Sequence, residues 1–258
     1  MLLALNIGNS EISFGFMDGG ELVSTAALKS DAGRTADEYA CLMNSLFALR
    51  GITPDSIDGA ICASVVPSLT ERIRTAVTLL CGRRVHLLGA GIKTGLNILT
   101  DDPSELGGDL VAAAIGALTK YKPPLILIDL GTAVTFSDIN RDGAYIGCAI
   151  APGIALSAEA LADGASLLPH VAAAVPKKSI GTSTIMSMQS GTVYGSVAMI
   201  DGMSARMEAE LGESATLIAS GGNAADILIP LCSREIIRDD TLIFRGLAEI
   251  YRKNQRKK

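Results

Sequence analysis

The feature of the sequence that most limits the possible folds is an internal repeat, since two segments about 123 residues apart follow one pattern. The first begins with the apolar run 2–7 and turns at Gly8, and the second begins with the apolar run 125–130 and turns at Gly131. Each segment then resumes a strand pattern and passes through a short Asp-Gly turn into a third strand. A repeat of this size predicts two related domains.

The boundary between the repeats is predicted at the Pro-containing connector 121–124, which gives an N-terminal domain over residues 1–120 and a C-terminal domain over 121–258. In both halves strand patterns alternate with helical patterns, which indicates the α/β class with mixed sheets flanked by helices. In the helical pattern over 34–49, the spacing predicts a single apolar face. Its members are Tyr39, Leu42, Met43, Leu46 and Leu49.

Composition excludes several classes of protein. With 48% apolar and 19% charged residues, the 258-residue chain is not expected to be disordered. A net charge of −5 and an aromatic content of 4% argue against a nucleic-acid partner. No apolar run reaches the ~18 residues of a membrane span, and the N-terminus lacks the basic segment of a signal peptide. We therefore expect a cytoplasmic protein with no membrane partner.

The cysteines, the histidines and the C-terminal charges predict no site. Five cysteines without a Cys-x-x-Cys pair argue against a disulfide framework and a zinc ribbon, and most are predicted to be buried free thiols. The basic run 252–258 is predicted to be a solvated tail. His86 and His170 are the only histidines and are expected at the surface, so no hydrolase triad is predicted.

Glycine turns follow three of the predicted strands, at Gly8-Asn9-Ser10, Gly131-Thr132 and Gly221-Gly222. Glycine lets the backbone approach a ligand closely and offer its N–H groups to phosphate oxygens. Two of these turns occupy the same place in the repeat, which predicts a nucleotide bound in a cleft between the two halves. The sequence contains neither a Walker A motif nor the motifs of protein kinases, so both of those kinase classes are excluded.

Two acidic residues are candidates for chemistry. Asp129 ends an otherwise apolar strand beside Gly131, where a carboxylate suits a cation ligand or a group near phosphates. The alternative is an Asp that caps its own turn. Asp109 lies at the predicted start of a helix, where it is either a general base for a substrate hydroxyl or a carboxylate favoured by the helix dipole. The residues themselves leave both alternatives open.

Taken together, the motifs resemble those of type III pantothenate kinases, which belong to the superfamily of acetate kinase, sugar kinases and actin. The resemblance covers essentially the whole chain and implies two duplicated actin-like (ribonuclease H-like) domains. The matching segments are Gly8-Asn9-Ser10, Arg34–Tyr39, Ser64–Pro67, Gly91–Leu96, Asp129–Ala133, Ala149–Gly153, Ile180-Gly181 with Thr184, Met188–Gly191 and Ser220–Gly222.

The resemblance implies an ATP-dependent kinase that phosphorylates the hydroxyl of pantothenate, the first step of coenzyme A biosynthesis. Asp109 would accept the hydroxyl proton, Asp129 would bind a monovalent cation (K⁺ or NH₄⁺), and Mg²⁺ would bridge the phosphates. The residues implied to contact ATP are Asn6, Ile7, Gly8, Asn9, Ser10, Glu11, Ile12, Ser13 and Thr132. Those implied to contact the alcohol are Thr100, Gly107, Gly108, Asp109, Leu110 and Thr184, the last from the second subunit of a homodimer.

The chain departs from the family pattern at several of these positions. Asn6 and Ser10 replace an Asp and a Thr in the first turn, Thr100 replaces a Tyr, and Leu110 replaces an Arg that would pair with the substrate carboxylate. A charge-assisted bond of that kind contributes about 1.5–3 kcal/mol. Two alternatives therefore remain beside a pantothenate kinase: a catalytically impaired paralogue that binds nucleotide or a partner, and a kinase of a different small alcohol.

Overall fold

The computed structural model describes residues 1–255. The prediction of a solvated tail over 252–258 was wrong for residues 252–254, which belong to the last helix, and the part beyond Gln255 lies outside the described residues. Two compact units make up the chain. Unit 1 comprises Met1–Leu96, Asp102–Lys120 and Thr241–Lys258, and unit 2 comprises Asn97–Asp101 and Tyr121–Asp240. The predicted division of the chain into domains 1–120 and 121–258 stays a prediction. The last helix of the described chain is grouped with unit 1 because it packs on a helix of that unit.

Unit 1 is a mixed five-stranded sheet with helices on its faces. Its strands are β1 (Leu2–Ile7), β2 (Glu11–Asp18), β3 (Glu21–Lys29), β4 (Gly59–Ser64) and β5 (Val85–Leu87), in the order β3-β2-β1-β4-β5. Its helices are α1 (Ala36–Leu49), α2 (Pro67–Cys81), α3 (Gly108–Leu118) and α7 (Leu242–Asn254). The first three strands are antiparallel neighbours, whereas β1, β4 and β5 run parallel.

Unit 2 repeats this sheet. Its strands are β6 (Leu125–Leu130), β7 (Ala133–Ile139), β8 (Tyr145–Pro152), β9 (Thr216–Ser220) and β10 (Ile237–Arg238), in the order β10-β9-β6-β7-β8. Its helices are α4 (Ile154–Gly164), α5 (Thr184–Leu211) and α6 (Gly222–Leu228). The predicted class, duplicated mixed sheets flanked by helices, is confirmed, and the short strand β10 is an element that the sequence pattern missed.

Helix α1 shows how local sequence sets one face of unit 1. Thr35 begins the helix with a capping box, in which its hydroxyl accepts from Glu38 N–H and the Glu38 carboxylate accepts from Thr35 N–H. Tyr39, Met43 and Phe47 are the buried side chains, at a spacing of four residues. The prediction was wrong for Leu49, which is 78% exposed because the helix ends there and turns its last residue to solvent.

The other face of the sheet carries α3 and α7, whose backbones approach each other closely. A Cβ on Gly116 would overlap the Leu242 carbonyl, and one on Gly246 would overlap the Ala112 carbonyl, so both contacts require glycine. This packing fixes α3 and with it the residues that begin that helix.

Candidate active site

The turn after β1 is narrow. Gly8 N–H donates to the Glu11 carbonyl at 2.9 Å, which closes the turn, and a Cβ on Gly8 would lie only 3.1 Å from that oxygen. The turn residues Asn9, Ser10 and Glu11 are exposed, whereas Ile7 and Ile12 on either side are buried. The turn is therefore held by an apolar base and presents its tip to solvent, as a phosphate-binding turn must.

Asn6 directly precedes this turn and carries an unusual atom. Its Oδ1 is buried and has no hydrogen-bond partner within residues 1–255. Leaving a buried acceptor unpaired costs about 1–3 kcal/mol, and such atoms in native folds call for an explanation such as a bound ion or water. An amide oxygen is a suitable ligand for Mg²⁺ or for one of its water molecules.

The corresponding turn in unit 2 follows β6. Asp129 is half-buried, and Ser220 on the neighbouring strand β9 donates its hydroxyl to Asp129 Oδ1 at 2.8 Å. Gly153 N–H donates to the Thr132 carbonyl at 3.0 Å, and a Cβ on Gly153 would overlap backbone atoms of the turn. The Gly153 backbone thus closes the turn. Within the turn, Asp129 is half-buried and Thr132 is exposed.

Asp109 is the second residue of α3 and is half-buried. Its Oδ1 accepts the Leu110 N–H at 2.9 Å, and the carboxylate lies in the first turn of the helix. A Cβ on Gly107 would lie 2.5 Å from that oxygen, so glycine leaves room for the carboxylate. Both alternatives considered for Asp109 are compatible with this geometry, because a carboxylate held by one N–H retains lone pairs for a substrate proton.

The other predicted substrate residues have different surroundings. Thr100 follows Leu99, whose N–H donates to the Tyr145 carbonyl at 2.8 Å, and the Thr100 hydroxyl is buried without a partner within the described chain. Leu110 is half-buried on α3. Thr184 is exposed at the start of α5 and borders an open groove with Gly181 and Ser183.

The third glycine turn, after β9, has partners that the sequence did not reveal. Gly221 and Gly222 adopt positive φ values of 137° and 51°, and both N–H groups donate to Asp240 Oδ1, at 3.1 and 3.4 Å. Arg238 in turn binds the second oxygen of Asp240. Phosphate oxygens would have to displace this carboxylate to use the same donors.

Within residues 1–255, no three His, Cys, Asp or Glu side chains are grouped so that they could hold a metal ion, and no helix is long and apolar enough to cross a bilayer. Burial raises the pKa of the Cys62 thiol to about 12. The prediction that most thiols are buried was wrong, because Cys62 alone among the five is fully buried, and Cys41 and Cys148 are exposed.

The chain is similar in sequence to proteins of one known family. A family model for type III pantothenate kinase matches residues 2–206. Type III pantothenate kinases from Pelobacter propionicus and Geobacter sulfurreducens are 43% and 40% identical to the chain, each over 99% of the chain and the whole of the relative. The chain belongs to the type III pantothenate kinase family.

Two solved structures share the fold of the chain. A Baf family protein from Campylobacter jejuni superposes with a TM-score of 0.60 at 19% identity, covering 98% of each chain. The activator of 2-hydroxyisocaproyl-CoA dehydratase from Clostridium difficile, solved with bound ADPNP, superposes with a TM-score of 0.53 at 12% identity, covering 100% of this chain and 98% of the activator. As a member of the type III pantothenate kinase family, the chain is a kinase, as its resemblance implied.

Proposed function

We propose that the protein transfers the γ-phosphoryl group of ATP to the hydroxyl of pantothenate, and that it does so in the cytoplasm. The observation that carries the proposal is the Asp109 carboxylate at the start of α3, in a chain that aligns with a type III pantothenate kinase over the whole length of that relative. Phosphoryl transfer needs little covalent chemistry from the protein, so positioned charges and one proton acceptor are sufficient.

Asp109 is the proposed proton acceptor. One of its oxygens accepts a hydrogen bond from the backbone N–H of Leu110 at 2.9 Å, and this bond fixes the orientation of the carboxylate. A carboxylate held in this way can accept the proton of an alcohol as the oxygen attacks phosphorus, and such a base contributes roughly 10²- to 10⁴-fold in rate.

ATP is proposed to contact residues Asn6–Ser13 and Thr132. The support is the backbone of the two turns: Gly8 and Gly153 occupy places where a side chain would press on backbone atoms. Backbone N–H groups at such turns bind phosphate oxygens without a side chain in between.

The residues present fit the two cations that the family implies. Asn6 Oδ1 is a buried acceptor in need of a partner, which suits Mg²⁺ or its water shell, although a neutral amide should hold the ion less tightly than a carboxylate. Asp129, oriented by Ser220, supplies a negative oxygen for a monovalent cation. When bound, Mg²⁺ neutralises charge that develops on the phosphates.

The alcohol is proposed to contact Thr100, Gly107, Gly108, Leu110 and Thr184. We further propose a homodimer in which the second subunit supplies Thr184. The support is a set of exposed apolar side chains on and near α4 and the start of α5: Leu156, Leu161, Leu167, Ile180 and Ile185. Exposed apolar side chains favour association, and sedimentation equilibrium showing only monomers would contradict this part of the proposal.

A coupled ADP-release assay with pantothenate, Mg²⁺ and K⁺ tests the activity. We expect substrate-dependent ADP release that falls roughly 10²- to 10⁴-fold in Asp109→Asn. Asp37→Asn is the matched control, since Asp37 is also the second residue of a helix, α1, and is exposed. ADP release in wild type no higher than in Asp109→Asn would contradict the proposal.

The same assay separates the two alternatives. Leu110 has no positive charge that could pair with the carboxylate of pantothenate. The assay therefore includes a second alcohol, an amide of pantothenate in which that carboxylate is neutral. Turnover of the amide alone would identify a kinase of a different alcohol. Tight ATP binding by calorimetry without turnover of either alcohol would identify a catalytically impaired paralogue.

A further inference from the structure

The residue that follows β3 binds the backbone of the first glycine turn twice. Ser30 Oγ donates to the Gly8 carbonyl at 2.6 Å, and Ser30 N–H donates to the Ser10 carbonyl at 3.0 Å. The register of β2 and β3 pairs Glu11 with Lys29, which places Ser30 beside the turn. Both bonds have normal lengths for their donors.

These two bonds set the direction of other groups in the turn. A trans peptide unit is planar, so a carbonyl and the N–H of the next residue point in opposite directions. With the Gly8 and Ser10 carbonyls directed at Ser30, the N–H groups of Asn9 and Glu11 are directed away from Ser30. Those N–H groups belong to the segment proposed to bind ATP phosphates.

Ser30 is itself held in place from the core. The next residue, Asp31, uses both of its backbone groups on the Tyr39 hydroxyl: its N–H donates to that oxygen at 2.9 Å, and its carbonyl accepts the hydroxyl proton at 2.9 Å. Tyr39 is fully buried in α1. Arg72 adds hydrogen bonds to the carbonyls of Ala32 and Arg34. Hydrogen bonds from Tyr39 and Arg72 therefore hold the backbone of the segment that follows β3.

We infer that Ser30 is a positioning residue for ATP: its hydroxyl orients the Gly8–Glu11 turn so that backbone N–H groups face the phosphates. The inference rests on the proposed function, in which this turn contacts ATP. It predicts an effect on the phosphate part of the nucleotide only. A purely structural role would change stability without distinguishing ATP from adenosine.

Binding of ATP with Mg²⁺, and of adenosine by competition, tests the inference in wild type, Ser30→Ala and Ser30→Thr. Loss of one neutral hydrogen bond predicts about three- to tenfold weaker ATP binding in Ser30→Ala, unchanged adenosine binding, and recovery in Ser30→Thr, which keeps a hydroxyl. Ser56→Ala is the matched control, because Ser56 Oγ also donates to a backbone carbonyl, that of Thr53, at 2.7 Å.

A second variant perturbs the same turn through a different residue, so that the result does not depend on the Ser30 substitutions alone. Tyr39→Phe keeps the ring but removes the hydroxyl that holds Asp31, and we expect it to weaken ATP binding in the same direction with adenosine unaffected. The inference is overturned if Ser30→Ala binds ATP as wild type does, or if it weakens ATP and adenosine equally. Because binding is measured, a wild type that binds ATP but turns over no alcohol overturns the proposed function alone, and one that binds no ATP overturns both.

Discussion

The first strands of the two units occupy the same place in two sheets of equivalent strand order, yet the polar residues of these strands have different partners. Asn6 and Asp129 are both the second-to-last residue of the strand and both precede a glycine turn. On the parallel neighbour, Asn6 faces Ala63 and Asp129 faces Ser220. Only the serine offers a hydroxyl, which donates to Asp129, while Asn6 Oδ1 stays unpaired within residues 1–255. A shared topology therefore fixes where the polar atom lies, and the neighbouring strand decides whether it is paired.

The second strands show a larger difference. The register pairs Asn6 with Ser13 and Asp129 with Thr135, so three residues further along Phe16 in β2 corresponds to Asp138 in β7. Phe16 is fully buried and packs edge-on against Phe47, with ring centroids 5.0 Å apart. Asp138 is also buried, and its Oδ1 has no partner within the described residues. Burial, with a smaller effect of Glu210, raises the pKa of Asp138 to about 6.

The two turns are also closed by different means, and this difference predicts the largest effect. The turn after β6 is closed by the Gly153 backbone, so the Cβ of Gly153→Ala would press on the Gly131 and Thr132 carbonyls. We expect the free energy of unfolding to fall by about 3 kcal/mol or more, measured by denaturant titration. Gly147→Ala on β8, the strand that ends directly before Gly153, is the control, because a Cβ there meets nothing within 4 Å. Equal free energies of unfolding for the two variants would show that the turn can move to accept the added Cβ without loss of stability.

Replacement of the buried acid predicts the next largest effect. Because the folded-state pKa of Asp138 lies above its ordinary value of 3.8, the free energy of unfolding should fall as pH rises from about 4 to about 6. Asp138→Asn removes the charge, so at pH 7 we expect it to raise the free energy of unfolding by roughly 2–3 kcal/mol.

The gain should fall nearly to zero near pH 3.5, where Asp138 is neutral in the folded chain and mostly neutral in the unfolded chain. Asp142→Asn, at an exposed position after the same strand, is the control. A gain of the same size at both pH values would mean that charge is not the cause.

The smallest effect is expected from making the first strand more like the sixth. Asn6→Asp places a carboxylate where an unpaired amide oxygen now lies, which should strengthen the interaction with Mg²⁺. We expect the Mg²⁺ concentration for half-maximal ATP binding to fall about three- to tenfold, an effect of about 1 kcal/mol. Asn44→Asp on the exposed side of α1 provides the comparison. An unchanged or higher Mg²⁺ requirement would place the ion away from Asn6.

Much of the fold follows from local sequence. The apolar runs, the glycine turns and the repeat predicted the first three strands of each unit and the class of the sheets, because strand alternation and turn chemistry depend on near neighbours. Leu49 was placed in the core in error, since helical spacing alone does not show where a helix ends. The two-residue strand β10 has too few residues for any pattern.

The candidate site was predicted less completely. Asn6, Asp109, Asp129 and Thr132 were identified because motifs carry them. Ser30, Ser220 and Asp240 were missed as partners of the three turns, since each is distant in sequence from the turn that it contacts or lies in an unremarkable segment. A signal was available for Ser220 alone, which lies in a family motif directly before Gly221.

Residue type and short-range spacing are enough to identify the family, the repeated sheets, the candidate acid and the candidate turns. Which polar atoms are paired depends on contacts between distant segments, and these appear only in the folded chain. Strand register placed Ser220 against Asp129 and Ala63 against Asn6, and it brought Ser30 to the first turn. Such partners lie on different strands, and the hydrogen bonds that orient a site form only after the sheet has set their distances.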